Sequence, residues 1–352
     1  MDKAQRYLTA CTRDNTRKSY RAAVEHYEST WGGFLPATSE GIVRYLAEYA
    51  ETLALSTLRQ RLAALAQWHI TQGFPDPTKS PQVRQMLKGI RVVHPAQQKQ
   101  AAPLQLRHLQ KAVNWLDKQA GLAVEAGDYR SLMRHRRDTA LLLIGFWRGF
   151  RSDELARLRV ETTQAEAGVG ITFYLPYSKT DRAHHGSTFH TPALNQLCPV
   201  EAYINWITVA GIADGPVFRK LDRWGNLSDT GFRASSMIPL LRRILEAAGI
   251  PASTYSSHSM RRGFATWASA NGWDIKGLMS YVGWRDMKSA LRYVDASNSF
   301  GSLAAQPQTI DTLENVSGCA EHIQEVSPCS TIQISRLRRQ LAYSTRYSSQ
   351  VS

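Results

Sequence analysis

LLLIGFWRGFRSDELARL, residues 141–158, decides the reading of the fold. The apolar run from Ala140 to Trp147 is too short for a bilayer, which needs about 20 such residues, and it stops at Arg148. A helix apolar on every side belongs in a core. The segment from Asp138 to Leu158 therefore reads as a buried helix, a glycine turn around Gly149, and a new helix that begins near Arg151. Glu154 follows Arg151 by one helical turn on the same face and is placed to hold the guanidinium. Taken alone, arginine and glutamate at this spacing are more often a surface ion pair.

Toward the N-terminus, residues 1–93 read as helical. Thr16 to Tyr27 carries Tyr20, Ala23, Val24 and Tyr27 at helical spacing, and Ser39 to Tyr49 places Ile42, Val43, Leu46 and Tyr49 on one stripe. A third helix is expected from an N-cap at Ser56, with Leu58, Leu62, Leu65 and Trp68 inward and Gly73 and Pro75 closing it. Its outer positions include Arg59 and Arg61. A short helix over about Gln82 to Val92 carries Arg84, Lys88 and Arg91. These basic side chains are candidates for phosphate contacts, although any single one is more often simply solvated. His94 to Pro103, HPAQQKQAAP, has few apolar anchors and reads as a linker.

Toward the C-terminus a second helical region starts near Leu106. Between Gly170 and Pro192 the period changes: Ile171, Phe173 and Leu175 alternate with smaller or polar residues, and Ser187 to Thr191 is a second extended piece. A small hairpin fits, with Ser178 to Gly186 as its polar connection. Helical patterns return from Pro192 to Tyr293. The last fifty or so residues are rich in Ser, Thr and Gln with weak periodicity, and are expected to be at least partly disordered.

The 352 residues suffice for two ordinary domains, and 43% hydrophobic residues is a normal globular share. Cys11, Cys198, Cys319 and Cys329 form no CxxC pair, which suits a reducing compartment. The N-terminus, MDKAQRYLTA, is polar and unlike a secretory signal, so a soluble cytoplasmic protein without membrane association is expected. The net charge of +14 divides into +6 over residues 1–100, +8 over 101–299 and zero over 300–352. Duplex DNA held between two basic domains would account for that distribution.

Three further pieces carry chemistry. Ser178-Lys179-Thr180 puts a lysine in the hairpin connection. His258-Ser259-Met260-Arg261 puts an imidazole and a guanidinium side by side on a helix face. Gly283-Trp284-Arg285-Asp286 precedes a helix that reaches Tyr293, and the indole N–H is a donor that cannot accept a proton. Each piece is weak by itself.

Together, Arg151, Lys179, His258 with Arg261, Trp284 and Tyr293 resemble, in order and approximate spacing, the tyrosine recombinases, also called the phage integrase family. Leu141 to Leu158 looks like the family's first-arginine motif and His258 to Tyr293 like its second box. Trp284 stands where many members have a second histidine, as in Cre-like members. The resemblance spans roughly residues 10–300, with the specific motifs inside 140–295. It implies a mainly α fold with a small β-sheet, built as a two-domain clamp on duplex DNA. Its parts would be a helical core-binding domain over residues 1–95, a linker over 96–103, a catalytic domain over 104–300 and a tail over 301–352. It implies a homotetramer on two recombination sites, exchanging strands through a four-way junction, with no cofactor and no metal. Any accessory protein is left open.

The residue types suit the roles this implies. A phenol with a pKa near 10 is ionised in roughly one molecule in a thousand at pH 7, so Tyr293 needs a base and a neutralised phosphate. Arg151 and Arg261 are always cationic and planar, which fits them to the non-bridging oxygens, with the Trp284 N–H as a further donor. His258 is placed to bond the phosphate or take the Tyr293 proton, and Lys179 is the candidate general acid for the departing 5′-oxygen.

Rivals inside these motifs are Tyr281, which precedes Trp284, and Arg262, which adjoins Arg261 but does not complete the H-x-x-R spacing. Arg148, one turn before Arg151, and Arg262 join Arg59, Arg61, Arg84 and Lys88 as candidate DNA contacts. His184, His185 and His190 cluster near Lys179, but no matching Cys, Asp or Glu pattern makes them a metal site. Ser297 to Ala305 is a candidate contact with a neighbouring subunit, and the basic stretch Arg336 to Gln340 reads as part of a solvated tail, the alternative being a DNA or partner contact. Alternative functions are a non-cutting DNA-binding protein of the same fold, a topoisomerase or telomere resolvase, and a helical DNA-binding regulator. The last lacks a recognisable helix-turn-helix signature.

Overall fold

A computed structural model describes residue 7 and residues 12–95, 101–176, 186–222 and 224–291. Lys179, Tyr293, His184, His185, Ser297 to Ala305 and the tail fall outside the described residues. The chain divides into two compact units, Met1–Gln100 and Ala101–Ser352.

The first unit holds α1 (Asp14–Glu25), which runs on into a π-helical turn, α2 (Ser39–Glu48), α3 (Leu55–Thr71) and α4 (Pro81–Val93). Its core gathers Tyr27, Ile42, Tyr45, Leu46, Leu58, Leu62, Leu65, Val83 and Ile90. In α2, Ile42 and Leu46 are buried as expected, Val43 and Tyr49 are half-buried against the same core, and Tyr45 joins them. The expected Ser56 cap is corrected: α3 begins at Leu55 behind Ala54, with no side-chain cap. α4 starts more firmly, because Ser80 accepts from the Val83 N–H and Pro81 occupies the first turn. His69 is buried at 1% exposure and fully satisfied. Its Nε2 accepts from the Ala37 N–H at 2.8 Å and its Nδ1 donates to the Leu65 carbonyl at 2.7 Å.

The second unit is built around α6 (Tyr129–Arg148), whose residues from Arg137 to Arg148 are all buried. α5 (Leu106–Glu125), α8 (Pro199–Ala210) and α10 (Ser259–Ala270) pack on it, and α9 (Met237–Ala247) packs on α5. Strands β1 (Thr163–Glu166), β2 (Gly170–Leu175) and β3 (Ser187–Pro192) form an antiparallel sheet in that order, with Phe173 opposite both Thr163 and Phe189. Ile171, Phe173 and Leu175 point into the core, as their alternation predicts. β1 and a second hairpin, β4 (Arg219–Leu221) with β5 (Leu227–Gly231), interrupt stretches without a strand pattern. Among the described residues no helix is long and apolar enough to cross a membrane.

The chain enters this unit along α10. The Ala102 N–H donates to the Thr254 carbonyl at 3.1 Å and the Leu104 N–H to the Ser259 carbonyl at 2.9 Å. Gly263 makes this approach possible: a Cβ there would lie 2.0 Å from the Leu104 oxygen and 2.8 Å from the Phe146 ring. Gly263→Ala is therefore expected to destabilise the unit by about 1–3 kcal/mol, the usual cost of overpacking. Calorimetry should show the transition of this unit lowered by several degrees, and an unchanged midpoint would contradict the tight fit.

Candidate active site

The site begins where α6 ends. Gly149 takes a left-handed conformation at φ 60°, which glycine adopts without the steric cost a side chain brings, and stops the helix. Phe150 is then buried against Phe173 and Phe189, with ring centroids 5.5 and 5.3 Å away, and so fixes the turn to the sheet. Arg151 is extended and opens α7 (Ser152–Ala156). The Glu154 carboxylate reaches back to accept from the Arg151 backbone N–H at 2.8 Å and from its Nη1 at 2.6 Å. Glu154 is 4% exposed, so this pair is largely desolvated rather than a surface bridge.

Arg261 reaches the same carboxylate from α10, with Nη1 3.8 Å from Glu154 Oε2. Its guanidinium is only 3% exposed. Nη1 donates to the Gly149 carbonyl at 2.7 Å and Nη2 to the Val282 carbonyl at 3.3 Å. It also lies over the Trp284 ring, 5.1 Å from the centroid. Trp284 follows Gly283, which ends α11 (Ile275–Val282) in another left-handed turn, before α12 (Met287–Leu291). Arg151, Glu154, Arg261 and Trp284 thus meet at three helix ends.

His258 caps the start of α10 and is exposed. Its backbone N–H donates to Ser256 Oγ at 3.3 Å, and its Nδ1 is 3.3 Å from Ser257 Oγ. His258 and Arg261 are one turn apart on this helix, as their spacing predicts.

One expected DNA contact is corrected. Arg148 is 3% exposed and points inward: it donates to the Tyr281 carbonyl, with its guanidinium 4.0 Å from the Tyr281 ring centroid and 4.7 Å from that of Phe189. A helix buried on all sides has no wet face for it. Arg61 is half-buried, and its Nη1 meets Tyr45 Oη at 2.8 Å and His26 Nδ1 at 2.8 Å. Burial, reinforced by Arg61, pushes the His26 pKa down. Arg59, Arg84, Lys88 and Arg91 are exposed, and the last three share one face of α4 by their spacing. Arg262 is half-buried beside Arg261.

Tyr281, the rival tyrosine, is part of the wall. Its hydroxyl is 3.1 Å from Thr191 Oγ1, and its ring stacks on Phe264 at 5.1 Å. His190 is exposed on β3 and 3.2 Å from Thr172 Oγ1. Sequence patterns missed the backbone carbonyls of Gly149 and Val282 as anchors for Arg261. Only the glycines at positions 149 and 283, which end α6 and α11, signalled those helix ends.

Paired guanidinium groups around a buried carboxylate, with a histidine at a helix start, define a protein equipped to bind an anionic oxygen centre such as a phosphodiester. The chain belongs to the phage integrase family, whose sequence model matches residues 124–299. It is 29% identical over 310 residues to an integrase/recombinase XerD homolog of Selenomonas ruminantium, covering 85% of this chain and 86% of that protein. It is 26% identical over 284 residues to the Cre recombinase of Escherichia phage P1, covering 74% and 77%. In fold it is similar to the XerH site-specific recombinase bound to a palindromic difH substrate, with TM-score 0.52, 15% identity and 81% and 76% of the two chains covered. A lambda integrase dimer bound to a core site is similar at TM-score 0.51 and 14% identity, covering 83% and 94%.

Proposed function

We propose that this enzyme carries out site-specific DNA recombination through a covalent phosphotyrosine at Tyr293. The observation that carries the reading is the convergence of Arg151 and Arg261 on the desolvated Glu154 carboxylate. A buried carboxylate bonded to Arg151 and 3.8 Å from the Arg261 guanidinium sets the separation of two cations that a phosphate could meet.

In this reading Arg151 and Arg261 neutralise the non-bridging oxygens, and the Trp284 indole N–H adds a donor. His258 binds the phosphate or takes the phenolic proton as the Tyr293 oxygen attacks phosphorus. The bond to the 5′-oxygen breaks, and that oxygen takes its proton from Lys179. A 3′-phosphotyrosine and a free 5′-hydroxyl remain. The hydroxyl of a second strand then attacks, the ester passes to it, and Tyr293 regains its proton. The ester conserves the bond energy, so rejoining needs no ATP, and the guanidinium groups take the place of a metal.

Residues 1–95 would form the core-binding half of a clamp on duplex DNA, with Arg59, Arg84 and Lys88 toward phosphates, and residues 104–300 the catalytic half. A homotetramer on two sites would exchange strands through a four-way junction, and Ser297 to Ala305 would contact a neighbour. Such a protein would work in the cytoplasm, on nucleoid or plasmid DNA.

The test is a nicked suicide duplex taken from the flanks of the encoding gene, incubated with the protein in EDTA. A covalent protein–DNA band is expected. Binding of a cognate site with no covalent band would instead favour a non-cutting protein of this fold.

A further inference from the structure

Arg148 has no part in the chemistry above, yet it is buried between two of the turns that carry it. It is the last residue of α6, one position before the Gly149 carbonyl that accepts from Arg261. It donates to the Tyr281 carbonyl in the last turn of α11, one position before the Val282 carbonyl that also accepts from Arg261. Two arginines therefore bridge the same pair of helix ends.

The neighbours of Arg148 are chosen for a flat cation. Its guanidinium lies 4.0 Å from the Tyr281 ring centroid, 4.7 Å from that of Phe189 and 5.9 Å from that of Phe150. Tyr281 is itself fixed, its hydroxyl 3.1 Å from Thr191 Oγ1 on β3. The arginine thus ties α6, the sheet and α11 together. Burial pushes its pKa down, opposed by the contacts with Tyr281 and the more distant charge of Glu154. Its Nε and Nη1 have no hydrogen-bond partner among the described residues. A side chain kept only to fill space would not need a buried charge with two unspent donors, because an apolar residue of similar volume packs there at lower cost.

We infer that Arg148 is a positioning residue of the active centre, which holds the Gly283-Trp284 turn in register with the Arg151 turn. This rests on the proposed roles of Arg151, Arg261 and Trp284. It acts through the α11 terminus, where a guanidinium satisfies a carbonyl that the helix leaves open and favours the negative end of its dipole. Without the clamp, Val282 and Trp284 can shift relative to Gly149, and Arg261 loses its setting.

The test uses the full chain and the suicide duplex, measuring site binding, single-turnover cleavage and thermal unfolding of wild type, Arg148→Met, Arg148→Lys and Tyr281→Leu. Arg148→Met should bind the site as wild type does and cleave about 30- to 100-fold more slowly, the scale of a displacement near 1 Å. Arg148→Lys, which keeps the charge and one donor, should recover part of that loss. Tyr281→Leu, which removes the ring but keeps the carbonyl, should slow cleavage by a smaller factor and stands in if Arg148→Met does not fold. Combined with Trp284→Phe, Arg148→Met should cost less than the product of the two separate losses, because both act through one turn.

Cleavage by Arg148→Met at the wild-type rate would overturn the inference alone. So would losses that multiply, or a cleavage defect that only follows a loss of folded protein. Absence of a covalent band with wild type would overturn the functional reading beneath it as well.

Discussion

Tyr293→Phe should still bind the recombination site but form no covalent product, a loss of at least about four orders of magnitude in cleavage rate. Phenylalanine keeps the ring and removes the only atom of that side chain able to form the ester. On the proposed reading, binding draws on the positive charge of both segments, and the substitution changes none of that charge. The other side chains would continue to bind and polarise the phosphate, but without the nucleophile there is no transition state for them to stabilise. The measurement is a labelled suicide duplex resolved on a denaturing gel, beside a native binding assay. A band that persists at the wild-type rate would mean another tyrosine attacks. Tyr281 is then the first to examine, although its hydroxyl is held near Thr191 and its ring lies beneath Arg148.

The buried helix was readable because Leu141 to Trp147 is apolar in every direction, which leaves only a core to receive it. The turn was readable because a glycine is favoured where φ is 60°, and the β2–β3 hairpin because Ile171, Phe173 and Leu175 alternate. β1 escaped because TQAE has no apolar alternation: it is an edge strand whose pairing is imposed by β2. β4 and β5 escaped because short, mostly polar strands are held by each other rather than by their own pattern. At α3 the pattern misleads, because Ser56 lies inside the first turn of a helix that begins without a side-chain cap.

The site divides in the same way. The i,i+3 relation of Arg151 to Glu154 is local and was legible. That Glu154 also faces Arg261 is a tertiary fact that no spacing encodes. At Arg148 the linear pattern points the wrong way. An arginine after an apolar run suggests a helix emerging into solvent, yet all of residues 137–148 are buried, so the charge had to find rings and a carbonyl instead. The aromatic residues that receive it, Tyr281 and Phe189, lie far away in sequence.

Arg261→Lys is the second decisive substitution, expected to lower cleavage about 100- to 1,000-fold while site binding changes by no more than about three-fold. The variant keeps the positive charge, so a requirement for charge alone would leave it active. In the structure, however, Arg261 acts as a planar fork. One arm bonds the Gly149 carbonyl at 2.7 Å, the other the Val282 carbonyl at 3.3 Å, and the flat group lies over Trp284. A lysine ammonium can meet one of those carbonyls, not both in the same plane, and cannot present paired N–H groups to a phosphate. The end of α6 and the end of α11 then lose one of the two arginines that bridge them, and the charge moves relative to Arg151 and Glu154. Because this site is 3% exposed, an ammonium there is also harder to desolvate than a guanidinium. The thermal midpoint must be measured in parallel, so that the rate is read on folded protein. Cleavage within five-fold of wild type, on protein shown to be folded, would mean that Arg261 contributes charge and not geometry. The convergence at Glu154 would then be a structural ion pair rather than the frame of the active centre.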